Sequence, residues 1–283
     1  MRWTPGGESQ NVEDRRGSGG FGMGPIGIGG GVVLLILSLI FGRDFVSGSG
    51  GSGSNGQRNV GGEVAPVQES PEEAKEVQFV SFVLDTAQAT WASILPRQMG
   101  TPWHDAKLVL FRNATQTGCG VGQTAMGPFY CPLDQKIYID LGFYDELRSR
   151  FGAPGDFAQA YVLTHELGHH VQHLLGIDDR VRRAQIENPD QANALSVRLE
   201  LQADCFAGIW AHETQREQML EPGDVEEALN AASSVGDDRI QRAATGHVNA
   251  DTFTHGTAVQ RAMWFRRGFD SGNPKECNTF ASA

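Results

Sequence analysis

Residues 162–176 read VLTHELGHHVQHLLG, with four histidines and one glutamate within nine positions. His165 and His169 are four apart, so on a helix their Cβ atoms stand about 5–6 Å apart on one face and both rings can reach one ion. Glu166 follows the first of them. In H-E-x-x-H this glutamate is not a ligand; it stands beside the ion, where it can take a proton from water that the ion activates. His173 shares the face, yet at 1.5 Å per residue it lies about 12 Å from His165 along the axis. Bonds near 2 Å cannot draw His165, His169 and His173 to one ion from a single helix. His170 points about a quarter-turn away. Of these last two, one is expected to line the core or support a ligand and the other to lie at the surface.

The third ligand must therefore come from elsewhere. A further histidine in H-E-x-x-H-x-x-G-x-x-H is one solution, and it fails here because Gln172 and Leu175 occupy the Gly and His places. A carboxylate on a following helix is another. The stretch ELQAD offers Glu200 and Asp204 one turn apart on one face. Glu200 can complete a His2Glu set, while Asp204 accepts the free ring N–H of a ligand histidine and fixes its tautomer. Small residues nearby, Ala203, Ala207 and Gly208, would let this helix approach the first closely. Alone, the acidic pair would read as a solvated face; set 31 residues after His169 beside an apolar stripe, it reads as the completing piece. Such a donor set suits zinc.

The elements that must position these residues follow from local pattern. PEEAKEVQFVSFVLDTAQATWASIL, from residue 71, has acidic residues in its first turn and helically spaced apolar ones after it, which predicts an opening helix. The runs AKLVLFR (106–112) and KIYIDLGFY (136–144) have the β-branched and aromatic content of strands. Asp156 is expected to cap a helix from 157 to 175 that carries HELGHH, with Gly176 ending it. Further helices are expected near 190–217, 223–235, 237–244 and 255–269. Strands first and helices after them indicate an α+β domain, over residues 71–283.

The N-terminal part reads differently. PIGIGGGVVLLILSLIFG is uncharged, and its residues 26–42 just reach the roughly 17 needed to cross a bilayer core. An uncleaved transmembrane helix is expected, because the following GRDFVSGSGG has no A-x-A-like cleavage site; a cleaved signal peptide or a buried core helix are the alternatives. Arg2, Arg15 and Arg16 precede the run while Arg43 and Arg58 follow it. That bias puts residues 1–25 in the cytoplasm as a disordered tail and the bulk of the chain outside. Residues 43–70 include GSGGSGSNGQRNVGG and form a Gly/Ser-rich linker.

The formal charge of −11 falls on the main domain, where residues 61–283 hold 18 Lys+Arg against 30 Asp+Glu. An acidic domain of this kind is a poor ligand for nucleic acid or anionic lipid. The four cysteines, Cys119, Cys131, Cys205 and Cys277, match no C-x-x-C zinc pattern. Outside the cytoplasm they are expected to form two disulfides, Cys119 with Cys131 across a Gly-rich turn region and Cys205 with Cys277, with free buried thiols as the alternative.

GPFYCP, YIDLGFYDEL, THELGHHVQHLLG, RLELQADCFAG and DTFTHGTAVQRAMWFRRGFDSG together resemble the bacterial family of neutral zinc metallopeptidases, as do the N-terminal NVEDRRG and a single membrane segment. More remotely, H-E-x-x-H followed by E-x-x-A-D is similar to the gluzincins, in particular their integral-membrane group. There the glutamate of the second motif is the third zinc ligand, which in this chain is Glu200. The resemblance implies a zincin-like fold, one catalytic zinc ion, a peptide or protein substrate and a place in the bacterial inner membrane. The remote relatives also carry T-H-P-x-x-x-x-R, matched here by His255 and Arg261 with Gly256 in place of Pro. Their histidine helps stabilise the reacting oxyanion, a large catalytic term. His255 is therefore expected in that role, with capping of the final helix as its alternative, and Arg261 as a structural partner to an acidic residue near the site.

The expected chemistry is zinc-assisted amide hydrolysis, with His165, His169 and Glu200 holding the ion and Glu166 moving the proton. An extended substrate would pair with KIYIDL as an edge strand. A non-peptidase metal hydrolase, a noncatalytic module with a structural metal, and metal-free core histidines are the competing readings.

Overall fold

The computed structural model describes residues 1–17 and 69–281. Its elements run β1 (Val12–Asp14), α1 (Pro71–Ile94), β2 (Lys107–Phe111), β3 (Ala114–Thr117), β4 (Gly120–Gln123), β5 (Phe129–Cys131), β6 (Lys136–Asp140), α2 (Gly142–Ser149), α3 (Asp156–Leu174), α4 (Ile177–Glu187), α5 (Ala192–Arg216), α6 (Asp224–Ser234), α7 (Asp237–Thr245) and α8 (Ala258–Ser271). A four-stranded sheet has the order β1-β2-β6-β5, and β3 with β4 makes a separate two-stranded ribbon. β1, β2 and β6 are parallel and β5 is antiparallel to β6.

Both faces of the central strands are covered, which is why their sequences are apolar without interruption. Leu108, Leu110, Ile137 and Ile139 join the main core, while the alternate residues Val109, Phe111 and Tyr138 pack with Cys131 on the other face. Strands and helices thus make the α+β arrangement expected. The core continues through aromatic contacts: Trp91 of α1 meets Phe206 of α5 at 5.2 Å between ring centroids, and Phe157 of α3 stacks on Trp210 of α5 at 5.4 Å. Both expected disulfides are present, Cys119–Cys131 and Cys205–Cys277. The second ties α5 to the turn after α8 across 72 residues.

Close helix approach depends on three glycines. A Cβ on Gly168, inside the H-E-x-x-H run of α3, would lie 3.0 Å from the Ala203 carbonyl oxygen of α5. Ala203 is thus the small residue that lets α5 meet α3, as its size suggested. Gly208 serves a different neighbour: a Cβ there would fall 2.1 Å from the Phe265 carbonyl oxygen of α8, and one on Gly268 would fall 1.9 Å from that of Cys205. α5 therefore lies between α3 and α8, nearly in backbone contact with each.

Several sequence expectations are corrected. The strand from 136 stops at Asp140, whose carboxylate accepts the N–H groups of Gly142 and Asn113, so that Phe143 and Tyr144 enter α2 rather than the sheet. The strand KIYID is internal, paired on both sides, and cannot offer an edge. Helix α3 has Gly155 as its N-cap. Asp156 binds the Met1 ammonium instead, and the Glu227 carboxylate accepts the Phe157 N–H at the helix start. Helix α4 was not expected; Gly176 at φ 63° ends α3 as foreseen, and the chain then re-enters a helix with a largely polar face. The final helix begins at Ala258, where Thr257 and Gln260 form a capping box, so His255 is not its cap.

The largest correction concerns the first 25 residues. Their described part, 1–17, is no separate tail: β1 pairs in register with β2, Val12 beside Leu108 and Asp14 beside Leu110. The Met1 ammonium lies 2.8 Å from Asp156 and 3.3 Å from Asp224. Arg16, almost fully buried, holds Asp14 at 2.7 Å, Glu69 at 2.8 Å and Glu73 at 3.0 Å, and Arg15 holds Glu13 at 2.7 Å. Two of the arginines read as a cytoplasmic signal are therefore spent in ion pairs. Arg16 and Glu69 stand at either end of residues 17–68. Residues 26–42 and nearly all of the linker lie outside the described residues, and among the described residues no helix is long and apolar enough to cross a membrane.

Candidate metal centre

Helices α3 and α5, held together at Gly168 and Ala203, bring His165, His169 and Glu200 to one place. One ligand atom from each lies within 4.8 Å of the others. His165 Nε2 is 3.1 Å from Glu200 Oε2, and His169 Nε2 is 3.4 Å from Glu200 Oε1. The opposite ring edges are already engaged. His165 Nδ1 is 2.8 Å from Asp204 Oδ1, and His169 Nδ1 is 2.8 Å from the Gln172 side-chain oxygen. A carboxylate can only accept, so the His165 Nδ1 carries the proton and Nε2 is left to face Glu200. The residue that broke the three-histidine pattern, Gln172, is thus the one that orients His169. Its own amide donates to the Leu199 carbonyl at 2.7 Å and to Gln202 at 3.1 Å.

Asp204 is fully buried and surrounded by donors. Tyr161 donates to it at 2.6 Å, and Arg261 reaches both its oxygens at 2.8 and 2.9 Å. Burial works against its charge, but Arg261 and then His165 outweigh that and hold the carboxyl down at about 2. Burial likewise opposes a charged His165, and Asp204 followed by Glu200 overcomes it, pushing that ring up to about 10. Glu200 is held well below the usual carboxylate range by His169 and His165 despite its burial. A divalent cation bound between the two rings and the Glu200 carboxylate would displace whatever proton is held there.

A second group of carboxylates, Asp156, Asp224 and Glu227, also lies within 4.8 Å. There the Met1 ammonium already supplies the cation.

The family model described as "Putative neutral zinc metallopeptidase" matches residues 1–280. The chain belongs to this family. Among curated proteins the metallopeptidase-family chain is 50% identical over 297 aligned positions to the uncharacterized protein YpfJ of Escherichia coli K12, covering all of both chains. It is 42% identical over 210 positions to the uncharacterized protein Rv2575 of Mycobacterium tuberculosis H37Rv, covering 70% of this chain and 69% of that one. No solved structure matches it. The family implies zinc, and the donor set of two imidazoles and a carboxylate fits that ion.

In this metallopeptidase-family chain the three residues face a cleft of about 450 Å³. Glu166 lines it beside them, and Phe143, Phe151, Val162, Phe129 and Tyr130 form much of the wall. His255 also lines the cleft, on the loop before α8. Its Nδ1 lies 3.0 Å from Thr254 Oγ1 and 3.2 Å from Asp237 Oδ1. Desolvation opposes a charged His255, and Asp237 and Glu200 prevail, raising its pKa above the ordinary histidine value. Gly256 adopts φ 91°, closed to proline, so this turn cannot copy the T-H-P of the remote relatives.

His170 is buried completely. Its Nε2 donates to the His104 carbonyl at 2.7 Å and its Nδ1 accepts from Tyr130 at 3.0 Å. His173 is the partly exposed one and pairs with Asp178 at 2.7 Å. Neither belongs to the candidate cluster. Sequence reasoning missed Gln172, Tyr161 and Asp237, each a lone polar residue whose partner lies on another turn or element.

Proposed function

We propose that the chain is a zinc-dependent endopeptidase in which His165, His169 and Glu200 hold one ion and Glu166 moves the proton. The convergence of three donors on an open cleft, with both Nδ1 edges already fixed, carries this reading. Zinc bound there would supply Lewis acidity, polarising the scissile carbonyl and acidifying water. The chain's own residues do the rest. The Glu166 carboxylate takes a proton from the attacking water and returns one to the leaving amine. His255 Nε2–H donates to the oxygen on which charge develops. Asp204, Tyr161 and Arg261 keep the His165 ring in place. The edge strand β5, whose Phe129 and Tyr130 line the cleft, is where an extended substrate would add as a further strand.

An unfolded protein such as reduced casein should be cut by the full chain, with loss of cutting on chelation and return with zinc. Glu200→Ala should bind no zinc and cut nothing, and equal cutting by both chains would refute the assignment. The full chain is needed, because cutting at residue 71 would remove β1 from the sheet and Met1 from its carboxylates.

The reading extends to location. Two disulfides support a compartment outside the cytoplasm, and the apolar run 26–42 supports attachment to the inner membrane. The contact of Arg16 with Glu69 supports placing residues 1–17 on the same side as the rest of the domain. Asn11 Nδ2 lies 3.2 Å from Asp105 Oδ2, at the surface. With Asn11→Cys and Asp105→Cys and a protease site inside 48–62, the two fragments cut from oxidised cells should stay joined until reduced. Fragments that separate without reductant, with the single cysteines labelled from opposite faces of the membrane, would restore the crossing topology.

A further inference from the structure

We infer that Asp237, the first residue of α7, is a positioning residue that sets which edge of the His255 imidazole faces the cleft. This rests on the reading of His255 as the oxyanion donor. Asp237 Oδ2 accepts three successive backbone N–H groups, from Thr254 at 2.8 Å, His255 at 2.6 Å and Gly256 at 3.0 Å. Its own N–H donates to the Gly256 carbonyl at 2.9 Å, so the turn and the helix start clasp each other. One oxygen suffices for the turn. The other, Oδ1, lies 3.2 Å from His255 Nδ1, where a carboxylate can only accept. Thr254 Oγ1 lies at the same ring nitrogen, 3.0 Å away. Both side-chain partners are therefore at Nδ1, and Nε2 is the edge left for the cleft that His255 lines with Glu166 and Glu200.

The arrangement parallels, on different elements, the hold of Asp204 on His165, with one difference: His165 Nε2 must be bare to bind an ion, whereas His255 Nε2 must carry a proton to donate, so Asp237 holds His255 as the imidazolium. In each case a buried aspartate engages Nδ1 of a histidine that lines the cleft. Asp204 is buried with Arg261 as its counter-charge, whereas Asp237 is neutralised by backbone donors alone and by the ring itself. The charge of Asp237 is thus reserved for His255.

Asp237→Asn tests this without dismantling the turn, because the amide oxygen still accepts the three N–H groups while its NH2 faces Nδ1. Nitrogen-15 spectra of the histidine-labelled full chain should show His255 protonated on both Nδ1 and Nε2 in the native protein, an imidazolium held by Asp237, and in Asp237→Asn a neutral ring unprotonated on Nδ1, a weaker donor. Turnover should fall about 10- to 100-fold in Asp237→Asn and in His255→Gln, with KM within about twofold, and the double variant should be no slower than His255→Gln alone. A native His255 lacking the Nδ1 proton, or losses that multiply in the double variant, would overturn the inference. If Asp237→Asn does not unfold cooperatively, the native spectrum alone decides. If the native chain cuts no peptide, the peptidase reading falls, while the spectra still judge the hold of Asp237 on His255.

Discussion

Replacing Glu166 with glutamine is expected to lower turnover by about 10²- to 10⁴-fold while zinc content and thermal unfolding stay as in the native chain. The expectation follows from where the residue sits. Glu166 adjoins His165 in sequence and lines the same cleft, yet the three atoms that converge belong to His165, His169 and Glu200. Glutamine keeps the size and the hydrogen-bonding shape but cannot take a proton. Zinc measured by mass spectrometry of the purified protein and kcat measured on an unfolded protein separate the two roles. A variant that loses its zinc would make Glu166 a ligand, and one that cuts at the native rate would remove it from the reaction.

Asp204→Ala should cost about 3–5 kcal/mol of stability, the usual penalty for leaving one partner of a buried ion pair uncompensated. The carboxylate lost is the common acceptor of Arg261, Tyr161 and His165, all buried. The sign and size come from Arg261, which would keep its charge in the core with the Val235 carbonyl at 3.4 Å, the Tyr161 hydroxyl at 3.2 Å and a more distant Glu200 carboxylate at 3.9 Å as remaining partners. Urea unfolding should therefore show Asp204→Ala with Arg261→Met to be more stable than Asp204→Ala alone, since the second change removes the stranded charge. Independent, additive losses would show that the pair does not act as a unit. Asp204→Asn is expected to weaken zinc binding about 10- to 100-fold, because an amide cannot hold the His165 tautomer as firmly.

How much of this could be read beforehand varies with the range over which each feature acts. The spacing of His165 and His169 is a property of one helix, and α3 follows from its own apolar period and from Gly176 at its end. Glu200 and Asp204 were legible because ELQAD sits on another long helix beside small residues, and the cysteine pairs because Cys119 and Cys131 lie 12 residues apart across a Gly-rich stretch, which leaves the other two for each other. Strand order was not. KIYID became a central strand only because β2 and β5 flank it, and nothing within its five residues records that. β1 is three residues of mostly polar sequence, VED, whose strand character comes entirely from β2. Its neighbours Arg15 and Arg16 look like a topogenic charge until the carboxylates that neutralise them are in view. Asp237 and Gln172 escaped for a related reason: each acts through a partner whose position is set by folding, and a single aspartate or glutamine in a helix has many uses.

The most direct measurement of the central claim is anomalous scattering at the zinc edge from crystals of the full chain grown with zinc. One peak is expected, about 2.0–2.2 Å from His165 Nε2, His169 Nε2 and a Glu200 carboxylate oxygen, with one position open toward the cleft. No peak at these three residues, or an ion bound instead between Asp156, Asp224 and Glu227 with Met1 displaced, would contradict it.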